Sequence, residues 1–238
     1  MNIAILTIGT NNINLYSKYV FPINQSYAHT HKYCYIQYND TLDNTRPIPW
    51  SKILAIKQQI NNFDWIFYID ADAIFFNHDI RIEDIIDEKY NLIISKAMGQ
   101  NWVNQFYLND SEFENINTGV FLIKGKNSWS SYLLDYIYSR TNRINHHWWE
   151  NQALSDIYKE HNMAINSKIK IVDQYILNGF ENLMYDYKDF NNDQYIIHWA
   201  GIPSYDKEYF ANIRYQEFLN GKFTDTKNNM RFCYEPSI

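Results

Sequence analysis

Cysteine is nearly absent from this chain: of 238 residues only Cys34 and Cys233 carry a thiol, too far apart in sequence to suggest a disulfide framework or a zinc-ligand spacing. A reducing, cytoplasmic setting fits that scarcity. Basic runs are absent too. With 21 Lys and Arg against 27 Asp and Glu, the formal charge is -6 and its signs are interspersed, so nothing would neutralise a phosphate backbone and a nucleic-acid partner is not expected. The first apolar run, NIAILTI, is too short for a membrane span and lacks the basic flank and cleavage site of a signal peptide, so it reads as a strand. There is no internal repeat, no Ser/Gly/Pro-rich linker and no shift in composition. The expectation is one domain over residues 1–238.

Aromatic residues are abundant at 18% of the chain, enough for a core of large rings and for flat surfaces on which sugars stack. Strand candidates are NIAILTIGT (2–10), CYIQYND (34–40), WIFYIDADAIFF (65–76), NLIISKA (91–97), NTGVFLIK (117–124), IKIVD (169–173) and QYIIHWAG (194–201). Between them, residues 14–33 have helical spacing broken at Pro22, and WSKILAIKQQINNF (50–63) outlines a helix with one apolar face. IRIEDIIDEKY (80–90) reads as partly helical. SWSSYLLDYIYSR (128–140), with Ser128 as N-cap, and WENQALSDIYKEH (149–161) complete the helices. Strands alternating with helices predict an α/β fold with a mostly parallel central sheet flanked by helices.

The sharpest signal is a pair of carboxylates, Asp70 and Asp72, inside the apolar run WIFYIDADAIFFN. Burying unpaired carboxylates is costly. If the run is one strand, positions i and i+2 face the same side, and a divalent cation with oxygen ligands would compensate both charges. The bland alternative is a strand-end turn with two solvated acids. Another is the Asp-x-Asp of haloacid-dehalogenase phosphatases. Those place the pair on their first strand and usually follow it with Thr or Val, whereas Ala73 and Ile74 follow here.

Six blocks in order resemble glycosyltransferase family 34, which includes galactosyl-, mannosyl- and xyloglucan xylosyltransferases: NQSYAHTHKYCYIQYND (24–40), RPIPWSKILAIKQQI (46–60), WIFYIDADAIFFN (65–77), NTGVFLIK (117–124), WWENQAL (148–154) and HWAG (198–201). The resemblance implies a GT-A, Rossmann-like fold, a nucleotide-sugar donor (a UDP-sugar rather than a GDP-sugar), a glycan or other hydroxyl acceptor, and transfer with retention. It implies a metal site of Asp70, Asp72 and His198, where the imidazole suits Mn²⁺ better than Mg²⁺. It sets Glu150 near the anomeric carbon, with Asn151 and Gln152 as amides for sugar hydroxyls, and Asn117 beside the donor sugar. Lys52 would offset diphosphate charge, Thr7, Gly9 and Asp40 would seat base and ribose, and Gly201 would border the donor. Gly119 would let the backbone approach a ligand closely. A binding-only relative would keep these features without turnover. Two departures stand out, Lys32 in place of a usual Gly and the absence of a Cys-rich continuation after HWAG. The long segment 98–115, with Trp102, Phe106 and Tyr107, is expected to form an acceptor-facing flap.

Overall fold

Alternation along the strands sorts the core into two apolar layers. In the computed structural model, which describes residues 1–97, 116–181 and 194–223, strand β1 (Ile3–Ile8) sends Ile3 and Ile5 to one face and Leu6 and Ile8 to the other. Strand β3 (Trp65–Ile69) divides likewise, with Trp65, Phe67 and Ile69 opposite Ile66 and Tyr68. Both faces are covered, which is why these strands read as continuous apolar runs. The expected flap at 98–115 lies outside the described residues.

Six strands form the main sheet in the order β2-β1-β3-β6-β5-β7, with β2 Cys34–Tyr38, β5 Leu92–Lys96, β6 Ile116–Lys124 and β7 Ile169–Val172. β1 is parallel to β2 and β3, and β5 is parallel to β7, while β6 runs against both its neighbours. The sheet is mostly parallel, as expected. Because β6 is reversed, its start lies at the same edge as the carboxyl ends of β1, β2 and β3.

WIFYIDADAIFF is not one strand. β3 stops at Ile69, and residues 70–73 form a turn closed by the Ala73 N–H on the Asp70 carbonyl at 3.1 Å. The chain resumes as β4 (Ala73–Phe75), which pairs with β8 (Ile196–His198) in a separate two-stranded sheet. The two acids therefore lie on a turn between sheets, and the argument from shared strand faces does not apply to them.

Pro22 does not break its helix, which runs unbroken over Asn14–His31. Burial of Tyr16, Val20, Ile23 and Tyr27 against the sheets outweighs the local cost of a proline in a helix interior. The same helix carries fully buried Asn24, whose amide donates to the Ala73 carbonyl at 2.9 Å and accepts from Phe75 N–H at 3.0 Å, clamping β4. The helix expected at 128–140 spans Ser128–Tyr138, but its cap is Asn127, which accepts from the N–H groups of Trp129 and Ser130. Helix Ser204–Leu219, absent from the sequence reading, packs Phe210, Ala211 and Phe218 on Ile74, Ile197 and Trp199. Among the described residues no helix is long and apolar enough to cross a membrane.

Candidate metal and donor site

The turn at 70–73 is held from several sides. Asp70 N–H donates to the Gly119 carbonyl at 2.7 Å, and Trp199 N–H donates to the Asp72 carbonyl at 2.9 Å. β8 pairs with β4 so that His198 stands opposite Ala73, immediately beside Asp72. Asp70, Asp72 and His198 thus offer one ligand atom each within 4.8 Å of one another. His198 is 2% exposed, and its Nδ1 lies 2.7 Å from Asn178 Oδ1. The Asn178 amide nitrogen faces the Lys96 carbonyl, which turns its oxygen to the ring as an acceptor for Nδ1–H, while Nε2, the atom whose lone pair a bound cation would take, lies 3.2 Å from Asp72 Oδ1. This oxygen, oxygen and imidazole set fits a divalent metal ion.

Gly119 is required by this packing. A Cβ there would collide with His198 Cε1 and lie 2.8 Å from Asp70 Oδ2. The close approach the structure shows at Gly119 is to the site's own side chains. Burial works against ionisation of Asp72, but His198 and Lys207 outweigh it and hold its carboxyl well below the usual range. Lys207, in the first turn of helix Ser204–Leu219, reaches Asp72 Oδ2 at 2.6 Å.

Lys52 is not a solvated helix lysine: it is 4% exposed, with Nζ 2.8 Å from Glu150 Oε1, 3.2 Å from Asp70 Oδ1 and 3.1 Å from the Thr118 carbonyl. Burial favours loss of its proton, yet the two carboxylates outweigh that and raise its pKa above the ordinary value. Glu150 is itself 3% exposed, and burial raises its pKa despite Lys52. It faces Lys52 in the interior, from the first turn of helix Trp149–Lys159. Its neighbour Asn151 is half-buried and accepts from Thr118 N–H at 2.7 Å, while Gln152 donates to Asp156 at 2.7 Å.

The remaining expected residues gather along the same sheet edge. Thr7 is fully buried in β1, and its hydroxyl has no hydrogen-bond partner among the described residues. Gly9 donates its N–H to the Tyr38 carbonyl at 2.8 Å, and the ring of Phe21 fills the place of a side chain. Asp40 is exposed just past β2. Asn117 accepts from Gly119 N–H at 2.7 Å. Gly201, at φ +73°, turns the chain from β8 toward helix Ser204–Leu219. Three polar partners went unforeseen: Lys207, Asn178 and Thr118. Only Lys207 had a signal, as the one cation in SYDKE close after the histidine.

The fold and the acid, acid and histidine cluster define a protein of the GT-A glycosyltransferase type. The chain belongs to the galactosyl transferase GMA12/MNN10 family, whose model matches residues 10–207. A Schizosaccharomyces pombe protein described as an uncharacterized alpha-1,2-galactosyltransferase is 23% identical in an alignment of length 222 that covers 79% of this chain; the chain spans 57% of that relative's length. Among solved structures, a glycosyltransferase involved in glycosylation of the major capsid of PBCV-1 superposes with TM-score 0.68 at 15% identity, over 90% of this chain and 100% of that one. Mouse xyloside xylosyltransferase 1 superposes with TM-score 0.54 at 11% identity, over 84% and 98%.

Proposed function

We propose that this chain transfers a hexose or pentose from a nucleotide sugar, a UDP-sugar in preference to a GDP-sugar, to a hydroxyl of a glycan acceptor, with retention. The observation that carries the reading is the convergence of Asp70, Asp72 and His198 within 4.8 Å at the carboxyl edge of the sheet. Family membership and the galactosyltransferase description of the yeast relative support a hexose donor.

Asp70, Asp72 and His198 would hold Mn²⁺, or Mg²⁺, which supplies Lewis-acid neutralisation of the leaving diphosphate. Lys207, on a flexible stem at the same edge, adds positive charge on the phosphate side. Thr7, Gly9 and Asp40 border the base and ribose, and Asn117 and Gly201 flank the donor. The amides of Asn151 and Gln152 orient sugar hydroxyls. The acceptor hydroxyl attacks on the leaving-group side and gives its proton to the departing phosphate.

The test is turnover of UDP- and GDP-sugars by the purified chain, followed as free nucleoside diphosphate with and without Mn²⁺. Sustained, metal-dependent release is expected, with NMR of the first-formed product reporting a retained anomeric configuration. Asp72→Ala should lower the rate by a factor on the order of a hundred or more, the scale of lost charge stabilisation at a transition state. Lys207→Met should chiefly raise the donor KM. Binding without release would make the chain a nucleotide-sugar receptor, and inorganic phosphate from phosphomonoesters would restore the phosphatase reading.

A further inference from the structure

Glu150 is a buried charge whose placement the metal site alone does not explain. Its Oε1 accepts from Lys52 at 2.8 Å and from the Thr118 hydroxyl at 3.1 Å, while Oε2 has no hydrogen-bond partner among the described residues. Around it is an apolar wall that includes Ile53, Phe121, Leu133 and Leu154. A buried ion pair is often no more stable than an apolar pair of the same volume, so its presence points to a role other than stability.

Lys52 connects this charge to the site. An ammonium has three donors, and those of Lys52 meet three acceptors on three segments: Glu150, Thr118 and Asp70. None remains for a phosphate. On Asp70, Oδ1 takes both Lys52 at 3.2 Å and the Tyr68 hydroxyl at 2.8 Å, whereas Oδ2 borders the space next to Gly119 and His198. One oxygen anchors the carboxylate and the other is presented to the cluster. Lys52 is thus shared between two carboxylates; with Glu150 neutral, it would draw on Asp70 alone.

Resting on the metal reading above, we propose that Glu150 is a positioning residue that neutralises Lys52, so that Asp70 keeps both its orientation and its negative charge for a divalent cation. Around the cluster, the carboxylates of Asp70, Asp72 and Glu150 then outnumber the ammonium groups of Lys52 and Lys207 by one. Neutralising Glu150 erases that excess.

The experiment is a Mn²⁺ titration of the chain without donor, with free Mn²⁺ read by electron paramagnetic resonance, on wild type, Glu150→Gln, Lys52→Met and the double variant. Circular dichroism and thermal melts establish that each is folded. Glu150→Gln should weaken Mn²⁺ binding about tenfold or more, through loss of one nearby charge in a partly buried setting. Adding Lys52→Met should bring affinity back to within about threefold of wild type, because the competing ammonium is gone. A purely structural role would not give that rescue. Should Glu150→Gln not fold, the double variant buries neither charge and still decides the matter: near wild-type affinity supports the proposal and a loss of more than about thirtyfold overturns it. Unchanged Mn²⁺ affinity in Glu150→Gln alongside lost turnover would put Glu150 on the sugar and overturn the proposal. Wild type that does not take up Mn²⁺ would remove the metal reading itself, a result distinct from either.

Discussion

At position 119 a single missing methyl group decides whether the site can assemble. His198 and Asp70 occupy the space a side chain would need, one at the end of β8 and the other in the turn between β3 and β4. Gly119→Ala is therefore expected to lower stability by about 1–3 kcal/mol through overpacking and to weaken Mn²⁺ binding more than stability alone explains, which melts and metal titration on the same preparation would separate. Asp70 and Asp72 were legible in the sequence because two acids in an apolar run conflict with burial. Glu150 was legible as a candidate but not in its orientation: a helix-opening glutamate reads the same whether it faces solvent, a sugar or, as here, an interior lysine. The burial of Lys52 was hidden for the same reason. Its one-dimensional context is a helix surface, and only the packing of β6 and helix Trp149–Lys159 against it makes the position interior.

Strand β4 is three residues long, and its placement depends on partners from far along the chain. Asn24 imitates a neighbouring strand by bonding both the Ala73 carbonyl and Phe75 N–H. Asn24→Ala leaves both groups unpaired in the interior, with an expected loss of about 2–4 kcal/mol, measurable by denaturant unfolding; a cost within experimental error would mean that water replaces the amide. Just beyond β4, His78 is packed among Tyr27, Phe218 and Phe223 with Nδ1 unpartnered among the described residues. Burial, aided by the nearby charge of His31, lowers its pKa from 6.5 to about 4, against a weaker opposing bond to the Phe75 carbonyl. The unfolded chain then binds the extra proton between these values. The contribution is complete above pH 6.5 and is lost as pH falls toward 4, amounting to about 3 kcal/mol. His78→Phe should flatten the stability profile across that window, and a profile with unchanged slope would show that another group titrates there.

For the whole molecule, ligand linkage gives the broadest test. A nucleoside diphosphate that binds the native state with Mn²⁺ should raise the melting temperature, with about 2.7 kcal/mol of stabilisation at a hundredfold excess over Kd. UDP with Mn²⁺ is expected to shift the melt more than GDP with Mn²⁺, and either one alone less. A larger GDP shift would reverse the donor assignment while leaving the metal site intact. Helix Ser204–Leu219 takes part at this scale, since it covers the apolar side chains of Ile74, Ile197 and Trp199 and brings Lys207 to Asp72. Its amphipathic signal is weak, with Tyr205, Tyr209 and Ile213 exposed and Phe210, Ala211 and Phe218 buried, so its sequence gives little warning of a packed helix.

The sequence by itself determined the α/β alternation, the strands buried on both faces and the acid pair, because each leaves a local trace in hydrophobic pattern or residue type, whereas His198 was legible as their partner only through the family resemblance. Tertiary structure alone decided that the acids sit on a turn between two sheets, that Pro22 stays within a helix, and that Lys52 and Glu150 are interior while Lys207 reaches the site. Those outcomes depend on contacts between segments tens of residues or more apart, where packing against a remote partner outweighs local preference and no neighbouring residue records the result.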